Sequence, residues 1–144
     1  MATNSHIGAY VPFIAPFAGG TVVSNTETAC ANADIVDLQH ASGSVGVNPG
    51  TGRTTGVAFE VDFVKGLLTN VIIYVQISND GGTTWYYCPE YQKTLTADGK
   101  LEIHVTPLNV TDTHARISAK STGTTTGSAL TISARLTGIY KVTA

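Results

Sequence analysis

The chain has 144 residues, the length of one ordinary domain and enough to bury a sizeable core without help from a metal or a disulfide. Its 8 Lys and Arg against 10 Asp and Glu give a net charge of −2, and 12% charged residues against 42% hydrophobic exclude a disordered chain. The basic residues are scattered from Arg53 to Lys141, so no clustered phosphate-binding patch is legible and no nucleic-acid partner is expected. Fifteen Gly, abundant Thr and few helix-forming runs predict an all-β fold.

In chain order, Met1 to Tyr10 carry no Lys or Arg and lead into no apolar run with a small-residue cleavage site, so a secretory leader is not expected. No apolar run is long enough to span a bilayer, and no membrane partner is expected. Residues 1–24 read as an N-terminal arm: Val11-Pro12 and Ala15-Pro16 block a continuous ladder and Gly19-Gly20 loosens the chain. Tyr10, Phe13, Ile14 and Phe17 make this arm too apolar to lie in water. Because Pro12 and Pro16 disfavour pairing with its own sheet, the arm is expected to contact a neighbouring subunit of a homo-oligomer.

Residues 25–144 read as the sandwich domain. The stretch from Ala29 to Gln39 fits a strand better than a short helix, and Ser42 to Thr55 is Gly, Ser, Thr and Pro punctuation, hence a long exposed loop. Period two then becomes plain: Val57, Phe59, Val61 and Phe63 alternate with Ala58, Glu60 and Asp62, and Val71, Ile73, Val75 and Ile77 with Ile72, Tyr74 and Gln76. Asn79 to Thr83 turns the chain, Thr84 to Cys88 returns it and Pro89 ends it. Leu101, Ile103 and Val105, behind the Ala97-Asp98-Gly99-Lys100 turn, predict a further hairpin. Ala115, Ile117 and Ala119 form the next strand, and a last one runs from about Ala129 to Val142. Seven or eight antiparallel strands at these spacings predict a single β-sandwich or jelly-roll-like domain.

The sharpest local pattern is Ser78-Asn79-Asp80-Gly81-Gly82-Thr83-Thr84-Trp85, which matches the S-x-D-x-G-x-T-W pattern of the Asp-box. Physically it is a hairpin: Asp80 accepts from turn amides, Gly81 and Gly82 supply positive φ, and Trp85 packs back across the strand pair. Sialidases and related propellers resemble this segment, but they repeat the box on successive blades, and one box in 144 residues cannot build a propeller. Ser78, Asp80, Gly82 and Trp85 are therefore expected to be structural. The aromatic run Trp85, Tyr86, Tyr87 and Tyr91 offers either a sugar-stacking platform or ordinary sheet packing and subunit contact. Alternation, with Trp85 and Tyr87 on one face and Tyr86 on the other, lets at most part of it form a single platform.

His6, His40, His104 and His114 show no metal-ligand spacing, so no metal is expected. No G-x-S-x-G elbow, Walker loop or dinucleotide fingerprint occurs, and neither a catalytic residue nor a cofactor is expected. Cys30 and Cys88 could pair, but two small buried thiols are the simpler expectation.

The segment Val75-Gln76-Ile77-Ser78-Asn79-Asp80-Gly81-Gly82-Thr83-Thr84-Trp85-Tyr86, within a low-charge, Thr- and Gly-rich β chain, resembles the cement or decoration proteins of tailed-bacteriophage heads. The resemblance covers most of residues 55 to 142 in pattern, and only the hairpin in letters. It implies a β-sandwich, often a homotrimer, on the outside of the capsid, bound to the major capsid protein and stabilising the shell by added interface. It also implies a virion protein made in the host cytoplasm. The alternatives are a carbohydrate- or receptor-binding module of a tail fibre and an orphan glycosidase fragment.

Overall fold

The computed structural model describes the backbone of residues 3–8, 14–21, 25–30, 32, 35–38, 52–53, 56–109, 111–137 and 139–143, and the side chains of 25–30, 32, 35–38, 56–109 and 111–136. Among the described residues thirteen strands follow in chain order: β1 Thr3–Gly8, β2 Ile14–Thr21, β3 Thr28–Ala29, β4 Val36–Asp37, β5 Gly52–Arg53, β6 Gly56–Val64 and β7 Leu68–Ser78. The remainder are β8 Tyr86–Tyr87, β9 Lys93–Leu95, β10 Gly99–Val105, β11 His114–Gly123, β12 Ala129–Thr137 and β13 Ile139–Thr143. The described residues contain no α-helix; Pro89–Tyr91 forms a 3-10 turn, and Asn32 is in 3-10 conformation as well. The protein is an all-β, antiparallel sandwich.

Two sheets form the layers. The front sheet has the order β10-β6-β12-β2, and the back sheet places β11 and β7 at its centre, with β3 and β4 beside β11 and β8 and β9 beside β7. A small third sheet has the order β1-β13-β5. Each central strand sends alternate residues into the gap between the layers. Phe59, Phe63, Ile132 and Leu130 from the front meet Ile73, Val75 and Ile117 from the back, all essentially sealed from water. Each such aliphatic or aromatic side chain gains roughly 1.5–3 kcal/mol by burial, so this seam dominates the fold's stability. In the back sheet Ala115 pairs with Ile77, Ile117 with Val75 and Ala119 with Ile73, alternating small and large residues across the ladder.

Several local expectations need revision. The turn at residues 97–100 does not close a hairpin: Leu95 pairs with Val71 in the back sheet, whereas Gly99 pairs with Phe63 in the front sheet. The chain crosses between layers there, and Asp98 Oδ1 fixes the crossing by accepting the Lys65 N–H at 2.7 Å. Alternation identifies a strand but says nothing about its partner. The last strand is two, because β12 belongs to the front sheet and β13 to the small one. The stretch from Ala29 to Gln39 supplies two short strands, β3 and β4, and both pair with β11.

Part of the N-terminal segment, Ile14–Thr21, pairs within the chain's own front sheet. Ile14 pairs with Ala134, Phe17 with Ile132 and Thr21 with Leu130, so β2 lies on the edge of the front sheet. Between these pairs β2 carries one extra residue in the span of Ala15-Pro16 and two in the span of Ala18-Gly19-Gly20. Ala15-Pro16 and Gly19-Gly20 are absorbed as bulges on an edge strand, where a missing proline N–H is tolerated, while Val11-Pro12 lie outside the described residues.

Candidate functional site

The hairpin between β7 and β8 is built from the inside outward. Ser78 is fully buried, and its hydroxyl donates to Asp80 Oδ1 at 2.8 Å while accepting the Gly82 N–H at 2.9 Å. The same Asp80 oxygen accepts the Thr84 N–H at 2.8 Å and the Thr83 N–H at 3.1 Å. Led by the bonds from Thr84 and followed by the one from Ser78, these donors hold the Asp80 carboxyl at about 2, below its ordinary 3.8. Gly81 and Gly82 sit at φ 78° and 92°, in the left-handed region that a turn of this shape requires. Thr113 ties the turn to the sheet: its N–H donates to the Ser78 carbonyl at 2.8 Å, and its hydroxyl accepts the Gly81 N–H at 3.0 Å.

From this turn the chain emerges with Trp85 and Tyr87 on the outer face of the back sheet, where strand alternation puts them. The Arg116 guanidinium lies over the Trp85 ring, 4.3 Å from its centre, and Arg116 Nε donates to Gln76 Oε1 at 2.7 Å. Tyr87 meets Tyr74 edge-on, with ring centres 5.6 Å apart, and its hydroxyl donates to Glu27 at 2.6 Å. That bond, followed by partial desolvation, raises the Tyr87 phenol above its usual value. Ser118 donates to the same Glu27 carboxylate at 3.2 Å. Glu27, Tyr87 and Ser118 are thus hydrogen-bonded to one another on this face, and Arg116 is held between Gln76 and the Trp85 ring.

Tyr86 points the other way. It pairs with Ile77, so its ring lies on the core side of the sheet, yet it is 55% exposed because it stands at the end of the sandwich. Beside it opens a cleft of about 200 Å³ with Ile77, Val105 and Leu108 among its apolar lining. Tyr91 also lines it and donates its hydroxyl to the Thr106 carbonyl at 3.3 Å. Asn79, Glu90, Asn109 and Asp112 bring polar groups to the same cleft. The sequence offers Tyr86 and Tyr91 as aromatic candidates but not the cleft, because its residues come from the hairpin, the 3-10 turn and the loop before β11, which only the fold brings together.

The remaining sequence candidates are dispersed. Cys30 and Cys88 are free thiols; Cys30 is buried as expected, but Cys88 is half-buried at the cleft, where burial and then Glu90 and Asp112 push its thiol up. His104 lies on β10 and His114 on β11, in different sheets. His6 is placed by backbone alone in β1, and His40 lies outside the described residues. Among the described residues no group of three His, Cys, Asp or Glu could hold a metal ion, and no helix is long and apolar enough to cross a membrane. On the outer face of the front sheet Arg135 pairs with Glu60 and Glu102, and Lys100 with Asp62. Of the arm candidates, Ile14 and Phe17 lie on β2, placed by backbone, while Tyr10 and Phe13 lie outside the described residues.

No protein-family model matches the chain, and no curated protein matches its sequence. Among solved structures, the chain is similar to one from the Triatoma virus empty capsid, with 10% identity, 97% of this chain and 89% of that chain covered, and a TM-score of 0.46. It is similar to one from infectious bursal disease virus Gx strain, with 10% identity over 99% of this chain and 35% of that one, at a TM-score of 0.41. A xylan-binding domain from CBM 22 is similar at 15% identity over 94% of this chain and 96% of that one, with a TM-score of 0.39. Likenesses this distant assign no function to the chain.

Proposed function

We propose that this chain is a non-enzymatic virion protein that binds the outside of a bacteriophage capsid and stabilises contacts between the subunits of the major capsid protein. It acts as a homotrimer, with the N-terminal residues 1–24, around Tyr10, Phe13, Ile14 and Phe17, as the attaching segment. The supporting observation is β2. It ends its sheet, with β12 on one side and no described strand on the other, and its ladder to β12 is interrupted twice. An edge strand held this loosely, in a segment so rich in aromatic residues, suits exchange onto a neighbouring subunit better than a permanent place in its own sheet. Three such segments about one axis engage together, so the trimer dissociates far more slowly than any single contact would allow. With a net charge of −2 and no run of like charges, attachment depends mainly on apolar and backbone contacts and varies little with salt.

The experiment is to compare heads assembled without the protein before and after purified protein is added. Normal assembly of the bare heads, with breakage at lower temperature or milder osmotic shock, supports this reading. Heads that never take up the protein, while tails do, would replace it with the receptor-binding module of a tail fibre.

A further inference from the structure

The aromatic face that the sequence singles out, Trp85 and Tyr87, is already occupied by its own neighbours: Arg116 covers the indole, and Glu27 takes the Tyr87 hydroxyl. The cleft on the opposite side of β8 is different. Its polar groups retain hydrogen-bonding capacity, for the side-chain amides of Asn79 and Asn109, the Glu90 carboxylate and the Tyr86 hydroxyl have no protein partner among the described residues. Asp112 uses Oδ2 to accept the Asn109 N–H at 2.8 Å, which fixes the loop and leaves its other oxygen available.

We propose that this cleft, between Tyr86 and Tyr91, binds a single uncharged pyranose ring. A sugar ring has an apolar face of C–H groups and a perimeter of hydroxyls that donate and accept at once. The cleft answers both: tyrosine rings and aliphatic side chains line it, and amides and carboxylates supply donors and acceptors. About 200 Å³ is below the several hundred Å³ of sites that enclose a drug-sized ligand and suits one ring. Glu90 and Asp112, with no Lys or Arg lining the cleft, repel uronic, sialic and phosphorylated sugars. This inference goes beyond capsid attachment and does not depend on it, because it is tested on the isolated protein.

The test is a titration of the full-length isotope-labelled protein, followed by backbone amide NMR signals, with methyl β-glucopyranoside and methyl β-galactopyranoside. The probes for comparison are methyl glucuronide and the cationic N-acetyl-lysine methylamide. Saturable shifts at the amides of Tyr86, Cys88 and Asn109 are expected with a neutral glycoside, at a dissociation constant on the order of millimolar, as suits so small a ligand. They should persist in about 0.3 M NaCl, as befits an uncharged ligand. The glucuronide should bind more weakly. Glu90→Gln, at an exposed side chain that no fold contact uses, should weaken binding about tenfold, the loss of one hydrogen bond to a charged group. Tyr86→Ala should abolish it. The proposal is overturned if no neutral glycoside gives saturable shifts at tens of millimolar, if the shifts fall on Trp85 and Tyr87 instead, or if the lysine probe binds best and is displaced by salt. That last result would make a basic side chain of a protein the occupant.

Discussion

At the scale of single residues, the hairpin depends on two side chains that act together. Ser78 supplies a buried hydroxyl to one carboxylate oxygen and two amides, so Ser78→Ala should cost about 1–3 kcal/mol by leaving those groups unpaired. Denaturant unfolding measures this directly. Asp80 gives a pH signature. Its folded value of about 2 lies below the ordinary 3.8, so its contribution is complete above the unfolded value and fades as pH falls from about 5 towards 2. Asp80→Asn should therefore melt below the wild type at neutral pH, and the two melting curves should converge in acid. A constant gap at every pH would show that the carboxylate's charge is not what holds the turn. Gly66 is a second sensitive point: it sits at φ 55°, and a Cβ there would fall 2.4 Å from the Gly127 carbonyl carbon. Gly66→Ala should lower the melting temperature more than Gly81→Ala, whose Cβ would meet nothing within 4 Å.

At the scale of elements, the strands with strict alternation were the legible ones. β6 and β7 carry inward Val, Ile and Phe at every second position and β11 carries Ala115, Ile117 and Ala119, all buried, although Gln76 and Ser118 on the outer face of the back sheet are buried as well. Ala58 is an exception, for it lies on the outward face yet is fully buried, between His104 and Arg135 in the ladder. What periodicity could not show was pairing across layers: the step from β9 to β10 looks like a hairpin in sequence because turn residues serve a crossover equally well. The bulged β2 was illegible for a related reason. Pro16 and Gly19-Gly20 argue against a regular ladder, and only an edge position lets the strand pair around them. The ladder between β2 and β12 should accordingly be the weaker flank of the front sheet. Hydrogen exchange at the amides of Ile14–Thr21 should be faster than at β6 and β12, and equal protection would argue that β2 is a fixed part of the sandwich.

At the scale of the whole molecule, the sequence revealed the architecture and one motif far better than the binding surfaces. Ser78, Asp80, Gly82 and Trp85 are adjacent in the chain, so their turn could be read from letters. The cleft beside Tyr86 is assembled from residues between Ile77 and Asp112 and becomes visible only when the layers close. The attaching role proposed for residues 1–24 rests on composition and on the bulged edge strand, and it concerns the assembled particle. Deleting residues 1–20 should leave a cooperatively folded β-sandwich, because β6, β7, β10, β11 and β12 supply the core seam. The most direct test is the occupancy of protein-free heads by the intact and the 1–20-deleted chain, at equal concentration and at low and high salt. The account predicts full, salt-tolerant occupancy by the intact protein and none by the truncated one; equal decoration by both would contradict it.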